Sequence, residues 1–229
     1  MQSSDGYILR TRPYSESSVI VDLFTRHAGK ITCITRPAKL RGKVQKGHLQ
    51  AFRLLQLHWQ GRSELTRLTQ TDERHRYRIP ASNLLFGLYL NELLLKLVQA
   101  HSQLTDLFTT YQHTLQLLCD SEVPMVVVMR FELVLLDELG HMPDLWREDG
   151  SGQDIIPDAT YAYGVDVGLQ STHSSDNQGL IPLSGSLLVA MRRPEIMSLD
   201  HYHELRQFLD SIWIRVARKP LNSRKLLRF

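Results

Sequence analysis

The chain has 229 residues, 42% hydrophobic and 22% charged, the composition of an ordinary soluble globular protein with one large domain or two modest ones. Its net charge of +3 hides an asymmetry: residues 1–80 hold 15 Lys and Arg against 6 Asp and Glu, a balance of +9, and residues 81–229 hold 12 against 18, a balance of −6. The two cysteines, Cys33 and Cys119, stand in no metal-type spacing, which fits a reducing cytosol and argues against a disulfide framework. The polar start MQSSDGYILR has no apolar signal-peptide core, and charge breaks every apolar run well before the ~18 residues a membrane helix needs.

Residues 7–79 read as β. In the first strand Arg10, Arg12 and Tyr14 lie two apart and share a face. Two guanidinium groups beside a ring suit a platform for single-stranded nucleic acid; the alternative is solvent-facing arginines and a tyrosine at the core edge. Val19, Val21 and Leu23 alternate with Ile20, Asp22 and Phe24. HAGK (27–30) is a turn, and KITCIT is a third strand that places Cys33 in the core. RPAKLRGKVQK (36–46) follows, with Arg36, Lys39, Arg41, Lys43 and Lys46 and no acid. It reads as a basic loop that either grips a polyanion or is a solvated surface run; the charge split between the two halves of the chain favours the grip. FRLLQLHW and RSELTRLT flank Gln60-Gly61, a two-residue hairpin signal. Five short strands without a helical period predict a small closed barrel of the OB type.

Pro80 closes the β region, dividing residues 1–80 from a mostly helical domain at 81–229; the fold class is α+β. Leu84, Leu88 and Leu95, with Tyr89, Leu93 and Leu97, mark a largely buried helix. LTDLFTTYQHTLQLL (104–118) is a second, with Thr105 as N-cap, and VPMVVVMRFELVLLDELG (123–140) a third, with Pro124 at its start and Gly140 just past its end. Residues 141–182 are a Gly-, Asp- and Ser-rich excursion with short β-like pieces. Two helical patterns follow. The tail from Arg215 to Arg228 carries Arg215, Arg218, Lys219, Arg224, Lys225 and Arg228 without an acid.

The chain has no phosphate loop of Walker type, no GxGxxG, no HExxH and no EF-hand pattern. His201 and His203 point about 200° apart on a helix, so they are not a metal pair. The expectation is a binding protein, neither an enzyme nor a holder of a cofactor. Arg130 has Val126, Val127, Leu133 and Val134 three and four residues away. It either receives an anionic, hydrophobic peptide end or pairs internally with a carboxylate such as Glu92.

RPYSESSVIVDLFTRHAGKITCITRPAKL and GHLQAFRLLQLHWQGRSELTRLTQTD resemble the N-terminal domain of the bacterial recombination mediator family RecO. LYLNELLLKLV, LFTTYQHTLQLL, MRFELVLLDELGHMPDL and LNSRKLLRF fit in the same order, so the resemblance covers nearly the whole chain and is weakest across 145–195. It implies an OB-fold on a helical domain, binding of single- and double-stranded DNA, and annealing of complementary strands without ATP. It also implies work in the cytoplasm, at the nucleoid, with RecR, with or without RecF. Together they load RecA on strands coated by single-stranded DNA-binding protein (SSB). In the family the acidic C-terminal tail of SSB docks in the helical domain, and Arg130, opening the R-F-E-L match, is the position that would take it. Many members carry a four-cysteine zinc module after that helix; with only Cys33 and Cys119 this chain resembles the zinc-less branch, and packing must hold 141–182.

Overall fold

The alternating N-terminal runs become five strands in the computed structural model, which describes residues 1–37, 44–61, 65–172, 179–217 and 219–227. They are β1 (Gln2–Pro13), β2 (Val19–Thr25), β3 (Gly29–Thr35), β4 (Arg53–Gln60) and β5 (Leu65–Arg76). They close into a barrel in the order β1-β2-β3-β5-β4, the connectivity of an OB-fold. Closure comes from β3 and β5, which pair in parallel, while the other neighbours are antiparallel. That pairing takes Leu65 and Thr66 for β3, and Gln60 of β4 meets Arg67. The Gln60-Gly61 link is therefore longer than the two residues expected of it. Tyr14 lies beyond the end of β1, in the turn where its N–H donates to Ser18 O.

Alternate side chains fill the barrel: Ile8, Val21, Leu23, Ile31, Cys33, Leu55, Leu57, Trp59 and Leu68, with Val44 from the end of the basic run and Leu49 just after it. A single 3-10 turn, Lys46–His48, lies between Val44 and Leu49. One irregularity changes the outcome of the alternation. The register of β1 on β2 pairs Ile8 with Leu23 and Arg10 with Asp22, so Leu9 is a bulge. Ile8 points inward, and strict alternation would send Arg10 and Arg12 inward too. The bulge reverses the parity and puts both arginines outside.

The chain divides into two compact units, Met1–Phe131 with Leu221–Phe229, and Glu132–Pro220. In the first, α1 (Leu84–Leu97) and α2 (Thr105–Asp120) cover one wall of the barrel. Tyr7 and Phe24 of the barrel's outer surface meet Phe108 and Tyr111 at ring-centroid distances of 5.0–6.0 Å.

 Around Phe24 and these two helix residues, burial pushes the hydroxyls of Tyr7 and Tyr111 well above the ordinary tyrosine range. Asn91 of α1 ties this wall to the bulge: its amide donates to Leu9 O at 3.3 Å, and its Oδ1 accepts from Tyr111 Oη at 2.5 Å. Lys30 of β3 donates to Leu95 O at 2.7 Å, placing a cation at the carbonyl end of α1. The helix α2 begins one residue before the expected cap: Leu104 holds the N-cap position and Thr105 is already helical.

The third helix, α3 (Pro124–Glu138), starts at its proline as expected, and the unit division falls within it. It ends in a Schellman motif, with Gly140 at φ +71, Gly140 N–H on Asp137 O and His141 N–H on Leu136 O. In the second unit the 141–182 excursion contains a three-stranded antiparallel sheet, order β7-β6-β8, from β6 (Thr160–Gly164), β7 (Gly168–Ser171) and β8 (Ile181–Ser184). Two carboxylates hold it: Asp149 accepts the N–H of Leu169 and Glu148 that of Ser171. The helices α4 (Gly185–Arg192) and α5 (Leu199–Val216) complete this unit. Glu132, fully buried, accepts both terminal nitrogens of Arg206 and the indole N–H of Trp213 at 2.5–3.0 Å. A buried pair of this kind adds little over an apolar core, but removing one partner strands a charge and costs about 3–5 kcal/mol. No helix among the described residues is long and apolar enough to cross a membrane.

Asn91→Leu keeps the branched outline of the side chain but leaves the Leu9 carbonyl and the Tyr111 hydroxyl without the partners that Asn91 supplies. The expected loss is about 2–4 kcal/mol, read as a lower urea midpoint; an unchanged midpoint would show that the bulge does not need this amide.

Candidate nucleic-acid interface

Across β1, β2, β3 and the start of β5, cross-strand register sets three rows on the outside of the barrel. The first, Tyr7–Phe24–Lys30, lies under α1 and α2. The second is Arg10–Asp22–Thr32–Leu65, and the third is Arg12–Ile20–Ile34–Arg67. Arg10, Arg12, Leu65 and Arg67 are exposed, and Ile20 and Ile34 are half-buried. Their strand neighbours Val21, Leu23, Cys33 and Leu68 are in the core, which fixes the outward direction of both rows.

Asp22 organises the open rows. Arg10 reaches its Oδ2 through Nε at 2.9 Å and Nη2 at 2.8 Å, Arg12 reaches Oδ1 at 3.4 Å, and the Thr32 hydroxyl donates to Oδ1 at 2.9 Å. The Arg10 and Arg12 side chains remain about half exposed, at 50% and 47%. Ion pairs this open contribute about 0–1 kcal/mol, so the carboxylate matters by position: it holds two flexible cations in one place with nitrogens left over for another anion. Arg36 is exposed at the end of β3 and donates from Nε to the Ser18 hydroxyl at 3.3 Å. Among the described residues the patch thus carries four guanidinium groups against the Asp22 carboxylate, around two isoleucines.

Of the residues picked out in the sequence, Arg10, Arg12 and Arg36 come together here. Lys39, Arg41, Lys43 and Arg218 lie outside the described residues. Lys46 is exposed in the 3-10 turn, beside His48, whose Nδ1 is within hydrogen-bond reach of Thr71 O and Oγ1. The cations of the C-terminal segment divide between the units. Arg215 and the exposed Lys219 belong to the second, where Arg215 donates to Ser211 O and Gly179 O. Arg224 and Lys225 belong to the first, in a 3-10 turn, Ser223–Leu226, packed on α1. Glu92 of α1 anchors that turn by accepting the N–H groups of Asn222 and Ser223, at 2.9 and 2.7 Å, and the Lys96 ammonium at 2.5 Å. Its oxygens are therefore taken, and the pairing of Glu92 with Arg130 is not formed. Arg130 is exposed on α3 with no ion pair among the described residues.

Arg67, Asp22, Ile20 and Ile34 escaped the sequence reading. Arg67 stands in a strand of mixed charge rather than in a basic run, and its place beside Arg12 depends on a parallel pairing between distant strands.

The fold agrees with what comparison of the sequence finds. Residues 1–76 match the family model "Recombination protein O N terminal" and residues 81–225 match "Recombination protein O C terminal". The chain belongs to the RecO family. Curated relatives called DNA repair protein RecO include that of Aliivibrio salmonicida, 31% identical over 223 residues, 96% of this chain and 92% of the relative. That of Shigella flexneri is 31% identical over 227 residues, 97% of this chain and 92% of the relative. That of Nitrosospira multiformis is 30% identical over 234 residues, 99% and 95%. Among the described residues of this RecO-family chain, no group of three or more His, Cys, Asp or Glu is placed to hold a metal ion.

The carboxyl of Glu92 feels two opposed effects. Burial pushes its pKa up, but the hydrogen bonds from Lys96, Ser223 and Asn222 outweigh it and bring it down to about 2. A carboxyl depressed in the folded state adds stability above its unfolded value of 4.5, and that stability is lost as pH falls toward 2. Glu92→Gln is therefore expected to cost on the order of 2 kcal/mol at pH 7, with the gap to wild type narrowing below about pH 4.5. Urea unfolding at several pH values measures this; a gap independent of pH would remove the charge from the anchoring.

Proposed function

We propose that this RecO-family protein acts in DNA repair and recombination by binding single- and double-stranded DNA through the open rows of its barrel. The observation that carries the reading is the row Arg12–Ile20–Ile34–Arg67 beside Arg10 and Arg36, cations around a low apolar surface on the outer face of an OB-type barrel. Guanidinium groups neutralise phosphates, and the isoleucines offer apolar contact to bases or sugars. In this reading the basic-run cations Lys39, Arg41, Lys43 and Lys46, and Arg215, Arg218, Lys219, Arg224 and Lys225, also contact phosphates. Annealing then needs no nucleotide hydrolysis: two strands are brought together while bound cations screen their repulsion. In the same reading the protein works with RecR, with or without RecF, to load RecA on SSB-coated strands in the cytoplasm. No step calls for a catalytic group or a cofactor.

Counterion release sets the test. Each phosphate contact on a single strand contributes about 0.7 to the slope of log K against log salt. Arg12→Ala with Arg67→Ala is expected to weaken binding of an oligo-dT and to lower the magnitude of the slope by about 1.4. An unchanged slope would exclude the row and favour a barrel that binds a protein partner.

In the same reading the acidic, hydrophobic C-terminal tail of SSB docks at Arg130; what supports this is that Arg130 is exposed, has no ion pair among the described residues, and lies one turn from the half-buried Val126. For Arg130→Ala we expect at least a 10-fold loss of affinity for an SSB-tail peptide, with oligo-dT binding retained. Equal peptide affinity in a fluorescence titration would remove Arg130 from that role.

A further inference from the structure

A second group of exposed arginines, Arg74, Arg76 and Arg78, lies at and just past the far end of β5, away from the open rows. A second irregularity of the barrel makes it. The register of β4 on β5 pairs Leu54 with His75 and Leu55 with Glu73, so Arg74 is an extra residue pushed out of the ladder. Tyr77 is buried, with its N–H on Phe52 O at 3.0 Å and its hydroxyl 3.3 Å from that of Tyr7, and it fixes the backbone between the exposed Arg76 and Arg78. The exposed His75 ring packs edge-on against Tyr77 at a centroid distance of 4.6 Å.

Glu73 stands among these cations, and its charge is already matched. It accepts Nη1 of Arg53, a residue only 8% exposed, and Arg53 also donates to Gln50 Oε1 at 2.6 Å. The same carboxylate accepts Nε and Nη2 of Arg76 at 3.2 and 3.3 Å, while the Arg76 side chain stays 52% exposed. With Arg53 and Glu73 cancelling, Arg74, Arg76 and Arg78 put three positive charges on the surface. Arg74 and Arg78 form no ion pair among the described residues.

Carboxylates divide this group from the rows. Leu55 and Leu57 face the core, so Gln56 faces out, together with its partners across the ladder, Asp5 of β1 and Asp72 of β5. On β5 itself Asp72 stands between Arg67 and Arg74, which are up to about 23 Å apart along the strand. A phosphate backbone laid from the rows along β5 meets that carboxylate on the way. We propose, resting on the DNA-binding reading above, that Arg74, Arg76 and Arg78 form a second site for a nucleic-acid backbone, which holds a second strand while the rows hold the first. Guanidinium groups match phosphate oxygens in pairs. No large apolar side chain is exposed between Leu65 and Leu84 in the sequence, so these residues offer an acidic, apolar protein tail nothing beyond charge. Two strands held on one protein raise each other's local concentration, which is what annealing without nucleotide hydrolysis requires.

The test uses the full-length protein with Arg74→Ala and Arg78→Ala together, which leaves the Arg53–Glu73–Arg76 contacts in place. Protein bound to an immobilised oligo-dT is offered a second, labelled oligo-dT, and annealing of two complementary oligonucleotides is followed by fluorescence. Affinity for a single oligo-dT is expected to change by less than about 2-fold, while capture of the second strand and the annealing rate each fall about 10-fold or more. Arg74→Lys with Arg78→Lys, which keeps the charge, is expected to recover most of both. Undiminished capture and annealing in the alanine variant overturn the proposal. So does a loss of single-strand affinity with the salt slope lowered by about 1.4, because the arginines then belong to the same track as the rows. Loss of SSB-tail peptide binding with strand capture intact makes the surface a protein site and overturns it equally. If Arg12→Ala with Arg67→Ala leaves single-strand binding and its salt slope unchanged, the reading of the rows fails whatever the second variant does. If the row variant behaves as expected and the second variant does not, only the second site fails.

Discussion

The bulge at Leu9 decides what the outside of the barrel can do. One extra residue in β1 reverses the alternation after Ile8, so Arg10 and Arg12 share the outer surface with Asp22 and Ile20 rather than facing the core. A bulge leaves a backbone carbonyl out of the ladder, and the Asn91 amide of α1 takes it. The same asparagine accepts the Tyr111 hydroxyl, so the element that positions the arginines also belongs to the packing of the helices.

That packing divides the barrel into a covered wall and an open one. The aromatic contact of Tyr7 and Phe24 with Phe108 and Tyr111 covers the first row, and Lys30 adds its cation to the end of α1. The remaining two rows stay open. A carboxylate among four arginines looks costly for a polyanion site, yet Asp22 is small in number and large in effect. It gives up one charge and fixes two guanidinium groups that would each lose side-chain freedom on binding.

The second unit answers a different requirement. Its excursion has no cysteine ligands, and the carboxylates of Glu148 and Asp149 hold the hairpin by accepting backbone N–H groups. The buried Glu132–Arg206–Trp213 group ties α3 to α5 by directional bonds. Such a network favours one arrangement of the helices, because any other strands a charge away from water.

Much of this was legible in the chain. Period-2 alternation marked the five strands, Pro124 and Gly140 bounded α3, and the charge count set a basic N-terminal part against an acidic remainder. Local patterns suffice there because they depend on neighbours in sequence. The caps were less legible: Thr105 reads as a cap by type, but Leu104 holds the position, since tertiary packing decides where a helix turns. The site itself was only half visible. Arg10, Arg12 and Arg36 stand out as cations, whereas Arg67 and Ile34 join them through a parallel pairing that no local pattern encodes. Which face the arginines take depends on one bulge, and whether Glu92 pairs with Arg130 or with the backbone of Asn222 and Ser223 depends on where the chain's end returns. Sequence by itself determined the elements and their charge; the tertiary structure decided the parity and the partners, because each is set by contacts between residues far apart along the chain.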